Sequence, residues 1–324
     1  MERCCRHIGQ LDEIVCRDVC QADVIVENFD EIYMEELKND FLSVRVAKHG
    51  AELTSIKKNG TEYLWQADPE FWKRHSPVLF PIVGSVWEGR YRVDGCEYLL
   101  GQHGFARDMD FELIEKTDSS VSYRLCSSEE TLAKYPWPFA LEISYVLRDN
   151  EIDVVWKVVN QGKSEMFFQI GAHPAFNYPD YVKENKERGF FSFDTRGPLE
   201  CIRIVEKGCV DADTLYPLEL QEDGLYPLES DTFDTIDTLM LQDSQLKRVT
   251  LHKPDKSKWL ELEFNAPVVG LWSPPSKNAP FICIEPWYGR CDRAGFEGEF
   301  RDRDWVNRLE PGKEFSAAYT IRIF

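Results

Sequence analysis

A two-residue alternation of apolar and polar side chains runs through most of the chain after residue 37. In FLSVRVA (41–47), Leu42, Val44 and Val46 share one side and polar residues take the other, which is typical of a strand with one buried face. Four more segments repeat the pattern: VSYRL (121–125), LEISYVL (141–147), WLELEF (259–264) and AYTIRIF (318–324). Turn signals separate these runs: KNG (58–60), VDG (93–95), RDN (148–150) and EPG (310–312). We predict a mainly β fold, a large antiparallel β-sandwich with few short helices.

Helical periodicity is scarce, and the clearest case is SSEETLAKY (127–135), with Ser127 or Ser128 as its N-cap. Residues 180–235 are rich in charged and aromatic side chains, and we expect long connections there. Residues 1–36 combine a loosely helical apolar spacing with many acids, so we predict a helical or mobile leader. The rest, residues 37–324, contains no linker-like segment and is predicted to form one sandwich domain.

The composition limits the partners and the compartment of the protein. The formal net charge of −19 would repel nucleic acids and anionic membranes, so neither is expected as a partner. The chain has no stretch of about 20 apolar residues and no apolar N-terminal segment of the signal-peptide type. We therefore expect a cytoplasmic protein, a monomer or a homodimer.

Ten cysteines are scattered along the chain without a C-x-x-C pair. A chain of this length does not need disulfides for stability, so reduced thiols are expected. An alternative is a metal site in the leader, although the spacing matches no common zinc motif. Its ligands would be Cys4, Cys5, His7, Cys16 and Cys20.

Three segments interrupt the strand pattern with polar groups among glycine, proline and aromatic residues. They are GQHGFARD (101–108), GAHPAFNYP (171–179) and FICIEPWYGRCD (281–292). Glu285 ends an apolar run, and a carboxylate there is costly unless it is hydrogen-bonded or used in chemistry. With His103, His173 and Arg107 it predicts an acid–base pocket for a polyhydroxylated substrate. The alternatives are a structural buried histidine, a Glu285–arginine ion pair, or a metal bound by these two histidines and Glu285.

Several long motifs resemble the aldose 1-epimerase (galactose mutarotase) family, specifically its LacX-like branch. They are AELTSIKKNGTEYLWQADPEFW (51–72), HSPVLFPIVG (75–84), QHGFARD (102–108), GAHPAFN (171–177), GLWSPP (270–275), APFICIEPWYG (279–289) and LEPGKEFSAAYTIRIF (309–324). The likeness extends from about residue 38 to the end. It implies a galactose mutarotase-like supersandwich with a sugar in an open cleft on one sheet, and interconversion of α and β anomers without a cofactor or metal.

The resemblance also implies residue roles. His173 would be the general acid and Glu285 the general base, standing across the sugar from each other, while His103 would hold the sugar near its ring oxygen. The remaining implied sugar-binding residues are Asp237, Trp272, Trp287, Arg107 and Arg74.

One position departs from the family pattern. Relatives in this branch commonly carry an arginine where this chain has Ser85, so the substrate preference stays open. The small-molecule partner is expected to be an aldohexose. Alternatives are a hexose-6-phosphate mutarotase, using Arg107 and a second basic side chain, and a non-catalytic carbohydrate-binding or sensing protein on the same fold.

Overall fold

Two large antiparallel sheets dominate the fold, as the alternation predicts. The computed structural model of the protein describes residues 34–195 and 197–324, and these residues belong to one compact unit. The leader predicted for residues 1–36, with its cysteine cluster, lies outside the described residues up to residue 33. The first strand of the described residues begins at Met34, before the expected start of the domain at residue 37.

The strands are numbered β1 to β25 in chain order, and all pairs of these strands are antiparallel. The nine-stranded sheet has the order β18 (Leu225–Glu229), β15 (Glu187–Phe193), β20 (Arg248–His252), β21 (Lys258–Phe264), β25 (Glu314–Ile323), β11 (Glu151–Asn160), β10 (Phe139–Arg148), β9 (Ser120–Cys126) and β8 (Glu112–Lys116). The eight-stranded sheet has the order β17 (Cys209–Pro217), β16 (Glu200–Glu206), β19 (Thr238–Leu241), β22 (Val268–Trp272), β23 (Phe281–Tyr288), β13 (Ile170–Ala172) and β5 (Val78–Leu79), and β14 (Ala175–Asn177) also pairs with β23.

Three small sheets complete the fold. They are β1 (Met34–Lys38), β2 (Ser43–Ala47), β3 (Leu53–Lys58) and β4 (Thr61–Glu62); β6 (Arg90–Val93) and β7 (Cys96–Leu99); and β12 (Met166–Phe168) and β24 (Asn307–Leu309). The α-helix α1 (Glu129–Lys134) begins at the N-cap Ser128 with a capping box to Thr131, which confirms the predicted helix. No helix among the described residues is long and apolar enough to cross a bilayer.

One apolar core joins the facing sides of the two large sheets. It contains the alternating residues of the nine-stranded sheet, such as Val121, Ile143 and Ile321, together with Leu271 and Ile284 of the eight-stranded sheet. The predicted strands are therefore confirmed, and so is the side of each that is buried. Burying this apolar area is the main stabilising contribution to the sandwich.

The prediction of long connections over residues 180–235 is wrong, because four strands, β15 to β18, lie there. Register shifts interrupt their pairing near Gly189 and twice between β16 and β17. A bulge adds a residue to one strand and breaks the period of two. The alternation that identifies the other strands is therefore lost in this region.

The central strands of the eight-stranded sheet have two different faces. Ile282 and Ile284 of β23 enter the core, so Cys283, Glu285 and Trp287 project from the opposite, outer face. The polar and aromatic residues between the apolar ones therefore converge on that outer face.

Trp287 lies flat on that outer face because glycines lie under its indole on both neighbouring strands: Gly171 pairs with Trp287 itself, and Gly270 pairs with Glu285. A Cβ atom added to Gly171 of β13 would lie 2.6 Å from the indole Cδ1, and one added to Gly270 of β22 would lie 2.6 Å from Cζ2. The indole N–H donates a hydrogen bond to the carbonyl of Ala172 at 3.2 Å. The absence of a Cβ atom at the two glycines thus allows the indole to pack closely against the sheet, next to the polar residues of the outer face.

We expect Gly270→Ala to lower the free energy of unfolding by about 1–3 kcal/mol, because the added methyl group overpacks against Trp287. Denaturant unfolding of the variant beside wild type measures this. Gly101→Ala is the matched control, since a Cβ atom there meets nothing within 4 Å and its φ is not positive. Equal destabilisation by both substitutions would contradict the packing role of Gly270.

Candidate active site

Strand register brings His173 and Glu285 together. Gly171 pairs with Trp287 on one side of His173, and Ala175 pairs with Cys283 on the other. Continued through the gap, this antiparallel register sets His173 opposite Glu285. The His173 Nε2 and Glu285 Oε2 atoms are 3.3 Å apart. The two groups are thus side by side, and not across a sugar-sized gap as the sequence analysis expects.

A cleft of about 360 Å³ opens above this pair on the outer face of the eight-stranded sheet. All but one of the site residues predicted from the sequence line it: His103, Arg107, His173, Asp237, Trp272, Glu285 and Trp287. The exception is Arg74, whose Nη2 donates to Asp108 Oδ1 at 2.7 Å, beside the cleft and not in its wall.

Three of the lining residues that sequence reasoning missed are Trp72, Gln102 and Thr238. Two of them carried a signal, because Trp72 ends the first family-like motif and Gln102 directly precedes His103. Thr238 carries none, since it reads as an ordinary first residue of a strand.

Burial controls the charges of the central pair. It raises the pKa of Glu285 well above its usual range, helped by the negative charge of nearby Asp237 and opposed by the neighbouring indole N–H of Trp287. Burial also lowers the pKa of His173, and the positive charges of Arg107 and Arg74 add to this effect. Both groups are therefore favoured in their neutral forms.

The separation of 3.3 Å would also suit an ion pair, so geometry and burial favour different proton positions. Both descriptions place one proton on the pair, on Glu285 in the neutral form and on His173 in the ion pair. We favour the neutral form in the sugar-free cleft, because Glu285 Oε2 and His173 Nδ1 have no hydrogen-bond partner among the described residues. A hydroxylated ligand that supplies such partners would shift the proton toward the ion pair.

The two structural alternatives for these groups do not hold among the described residues. A satisfied buried histidine would have a partner for Nδ1, which His173 lacks. Glu285 does not pair with Arg290, whose partner is Asp304, nor with Arg107, which donates to the carbonyl of Gln102 at 2.8 Å.

His103 has a defined tautomer. The backbone N–H of Gly84 donates to His103 Nδ1 at 3.1 Å, so the neutral ring carries its proton on Nε2. Burial lowers the pKa of His103 well below its ordinary value, and His173, Arg107 and Arg74 lower it further. His103 is therefore a neutral hydrogen-bond donor. Its backbone has a φ of 64° and that of Asp237 a φ of 62°, in the left-handed region that polar residues at functional sites often adopt.

Ser85 lies under the turn that joins β16 to β17. A Cβ atom added to Gly208 in this turn would lie 2.7 Å from Ser85 Oγ, and Lys207 pairs with Glu88 at 2.9 Å. An arginine at residue 85 would not fit unless the turn moved. Gly208 and Ile204 line this end of the cleft, so a largely apolar wall stands where the family resemblance predicts a cation.

Among residues 34–195 and 197–324, one group of side chains could hold a metal ion. The potential ligand atoms of His173, Cys283 and Glu285 lie within 4.8 Å of one another, whereas His103 is not part of this group. A thiol must lose its proton to bind a metal, and burial raises the pKa of Cys283 well above its ordinary value. The donor set therefore fits a resident metal poorly.

The fold and the cleft define the class of protein: a galactose mutarotase-like β-sandwich with a buried histidine and glutamate in contact on the outer face of one sheet. The sequence model of the aldose 1-epimerase family matches residues 34–322. The chain is 34% identical over 303 residues to the chromosomal protein LacX of Lactococcus lactis subsp. lactis, covering 89% of this chain and 98% of that protein.

Two solved structures are similar to this chain throughout the sandwich. A galactose mutarotase related enzyme from Lactobacillus acidophilus has 35% identity and a TM-score of 0.84, covering 90% of this chain and 97% of that one. A galactose mutarotase-like protein from Lactobacillus casei has 30% identity and a TM-score of 0.84, covering 90% and 100%. The chain belongs to the aldose 1-epimerase family, and it is therefore an isomerase.

We expect Glu285→Gln to raise the melting temperature, with a gain that grows from about pH 5 to about pH 8. The unfolded chain ionises this carboxyl near its ordinary pKa of about 4.3, whereas the folded protein keeps it protonated to much higher pH. A carboxyl whose pKa is higher in the folded protein than in the unfolded chain makes its full contribution to stability at pH values below the unfolded pKa. This contribution is lost as the pH rises. The glutamine variant removes that loss. Calorimetry of the variant and wild type at several pH values measures the difference in melting temperature.

Glu261→Gln is the control of opposite sign. Burial raises the pKa of Glu261, but the hydrogen bond from Thr250 and the charges of Lys258 and Arg322 outweigh burial, and the pKa is lowered overall. Its contribution is present above the unfolded pKa and lost on acidification. This variant should melt earlier at neutral pH, with a deficit that shrinks as the pH falls. If both variants lowered the melting temperature at neutral pH, with deficits that shrink as the pH falls, the raised pKa of Glu285 would be contradicted.

Proposed function

We propose that this protein is a cofactor-independent aldose 1-epimerase that interconverts the α and β anomers of a free aldohexose such as galactose or glucose. The observation that carries the proposal is the contact between His173 Nε2 and Glu285 Oε2, 3.3 Å apart in a cleft lined by tryptophans. The names of the similar structures, which include galactose mutarotase, support galactose as the first sugar to test.

The side-by-side arrangement suits the chemistry of an anomeric centre. Ring opening takes a proton from the anomeric hydroxyl and gives one to the ring oxygen. Both oxygens are bonded to the same carbon, C1, so the base and the acid must reach neighbouring atoms. Two groups in direct contact can therefore reach both oxygens from one edge of the sugar.

The proposed cycle conserves its protons. Glu285, as the carboxylate, accepts the proton of the anomeric hydroxyl while the His173 imidazolium protonates the ring oxygen, and the C1–ring-oxygen bond breaks to give the aldehyde. Rotation about C1–C2 presents the other face of the aldehyde. The ring then closes as His173 takes its proton back and Glu285 returns one to the anomeric oxygen. The pair ends with the single proton with which it began.

The other lining residues have proposed supporting roles. His103 donates its Nε2 proton near the ring oxygen, while Asp237 and Arg107 bind hydroxyl groups. Trp272 and Trp287 contribute aromatic surface against the apolar faces of the sugar. Arg74, through its ion pair with Asp108, acts on the electrostatics of the cleft and not by direct contact.

We expect His173→Ala and Glu285→Gln each to reduce the catalysed mutarotation rate by roughly 10²–10⁴-fold, because each removes one proton-transfer group. Polarimetry of freshly dissolved α-D-galactose and α-D-glucose measures the rate. His49→Ala is the matched control, because His49 is exposed and pairs with Asp110, and it should retain the wild-type rate. Full activity in either active-site variant would contradict the assigned roles. An inactive wild type that still binds sugar would favour the carbohydrate-binding alternative.

We expect the free hexose to be anomerised with a higher kcat/KM than its 6-phosphate. Arg107 is the only arginine or lysine among the described residues that line the cleft. The carboxyl groups of Asp237 and Glu285 in the same cleft disfavour the negative charge of a 6-phosphate. Exchange NMR of galactose beside galactose 6-phosphate measures the ratio, with Arg107→Gln as a further variant. A preference for the phosphate that is lost in this variant would support the hexose-6-phosphate alternative instead.

A further inference from the structure

The indole ring of Trp72 stacks on the imidazole of His173. The ring centroids are 4.6 Å apart and the planes make an angle of 26°. The other described rings near His173 meet it almost at right angles, Trp272 at 5.4 Å and 82° and His103 at 5.5 Å and 85°. Of these three neighbours, only Trp72 is stacked on the histidine ring.

The backbone of Trp72 is held in place by hydrogen bonds. Its backbone N–H donates to the carbonyl of Asp68 at 3.0 Å, and its carbonyl accepts from Trp65 Nε1 at 2.8 Å. Lys277 Nζ donates to the carbonyls of the two preceding residues, at 3.0 and 2.8 Å. These bonds fix the backbone that carries the indole, and they involve neither His173 nor Glu285.

His173 needs such a neighbour to act as an acid. Its surroundings are burial, the positive charges of Arg107 and Arg74, the imidazole of His103 across a ring contact, and Glu285 and Cys283 on β23. Glu285 favours a protonated ring only while it is itself ionised. A backbone hydrogen bond at His173 also raises the pKa of the ring, but burial and the two arginines outweigh it. The face of an indole attracts a cation, and most strongly where water is excluded.

We propose that Trp72 is a positioning residue, whose indole face fixes the plane of the His173 ring and stabilises its protonated, acid form. This inference rests on the proposed acid role of His173. Trp72 would act through the histidine, while its exposed edge forms part of the cleft wall.

Nitrogen NMR of isotope-labelled histidines in the sugar-free protein tests the inference, with wild type beside Trp72→Leu and Trp72→Phe. We expect the protonation midpoint of His173 to fall by roughly one pH unit in Trp72→Leu and by less in Trp72→Phe, which keeps an aromatic face. The kcat for D-galactose should fall by roughly tenfold in Trp72→Leu. Since the titration requires no turnover, it gives an answer even if the protein does not anomerise galactose.

Trp272→Leu is the matched control, because it removes an indole of the same cleft that meets His173 edge to face. We expect this variant to raise KM and to leave the His173 midpoint unchanged. An unchanged midpoint in both Trp72 variants, or an equal fall in Trp272→Leu, would overturn the inference. A fall in kcat without a shift of the His173 protonation midpoint would show that Trp72 only forms part of the cleft wall, and this would also overturn the inference.

Discussion

The antiparallel register between β23 and the broken strand β13–β14 is the constraint on which the site depends. It sets His173 opposite Glu285, because pairs on both sides of the histidine follow one register. Side chains alternate between faces with a period of two, so a one-residue slip would send Glu285 into the apolar core. The fit of Trp287 over Gly171 and Gly270 opposes such a slip, since each indole contact needs a neighbour without a Cβ atom.

Burial gives the pair both its reactivity and its instability. Glu285 is 1% exposed and His173 7%, so each prefers its neutral form, and one proton is enough for the two. A ligand whose hydroxyl groups satisfy the unpartnered atoms would lower the free energy of the ion-pair form relative to the neutral form. The proposed catalyst is therefore assembled by its substrate, because proton transfer between adjacent groups creates the base and the acid together.

The parts of the structure that follow local rules could be predicted from the sequence. Alternation identified β9, β10, β21 and β25 of the nine-stranded sheet and β2 of a small sheet. Family-like motifs identified the two histidines, Arg107, Glu285 and two of the tryptophans that line the cleft. The strands of residues 180–235 were missed because bulges break their period. The ion pair that turns Arg74 toward Asp108, and the stacking of Trp72 on His173, depend on how a loop folds over a distant sheet edge. No pattern in one sequence encodes such long-range contacts.

The energetics of Glu285 bear on the choice between an enzyme and a carbohydrate-binding protein. A binding site needs hydrogen-bond donors and acceptors, and a glutamine would supply both at this position without the penalty of burying an ionisable group. The chain instead keeps a carboxyl with an unpartnered oxygen beside an unpartnered imidazole nitrogen. Such an arrangement lowers stability, and an amide could also hydrogen-bond a sugar at this position, whereas proton transfer requires an ionisable group. The acid–base pair is therefore better explained by catalysis than by binding alone.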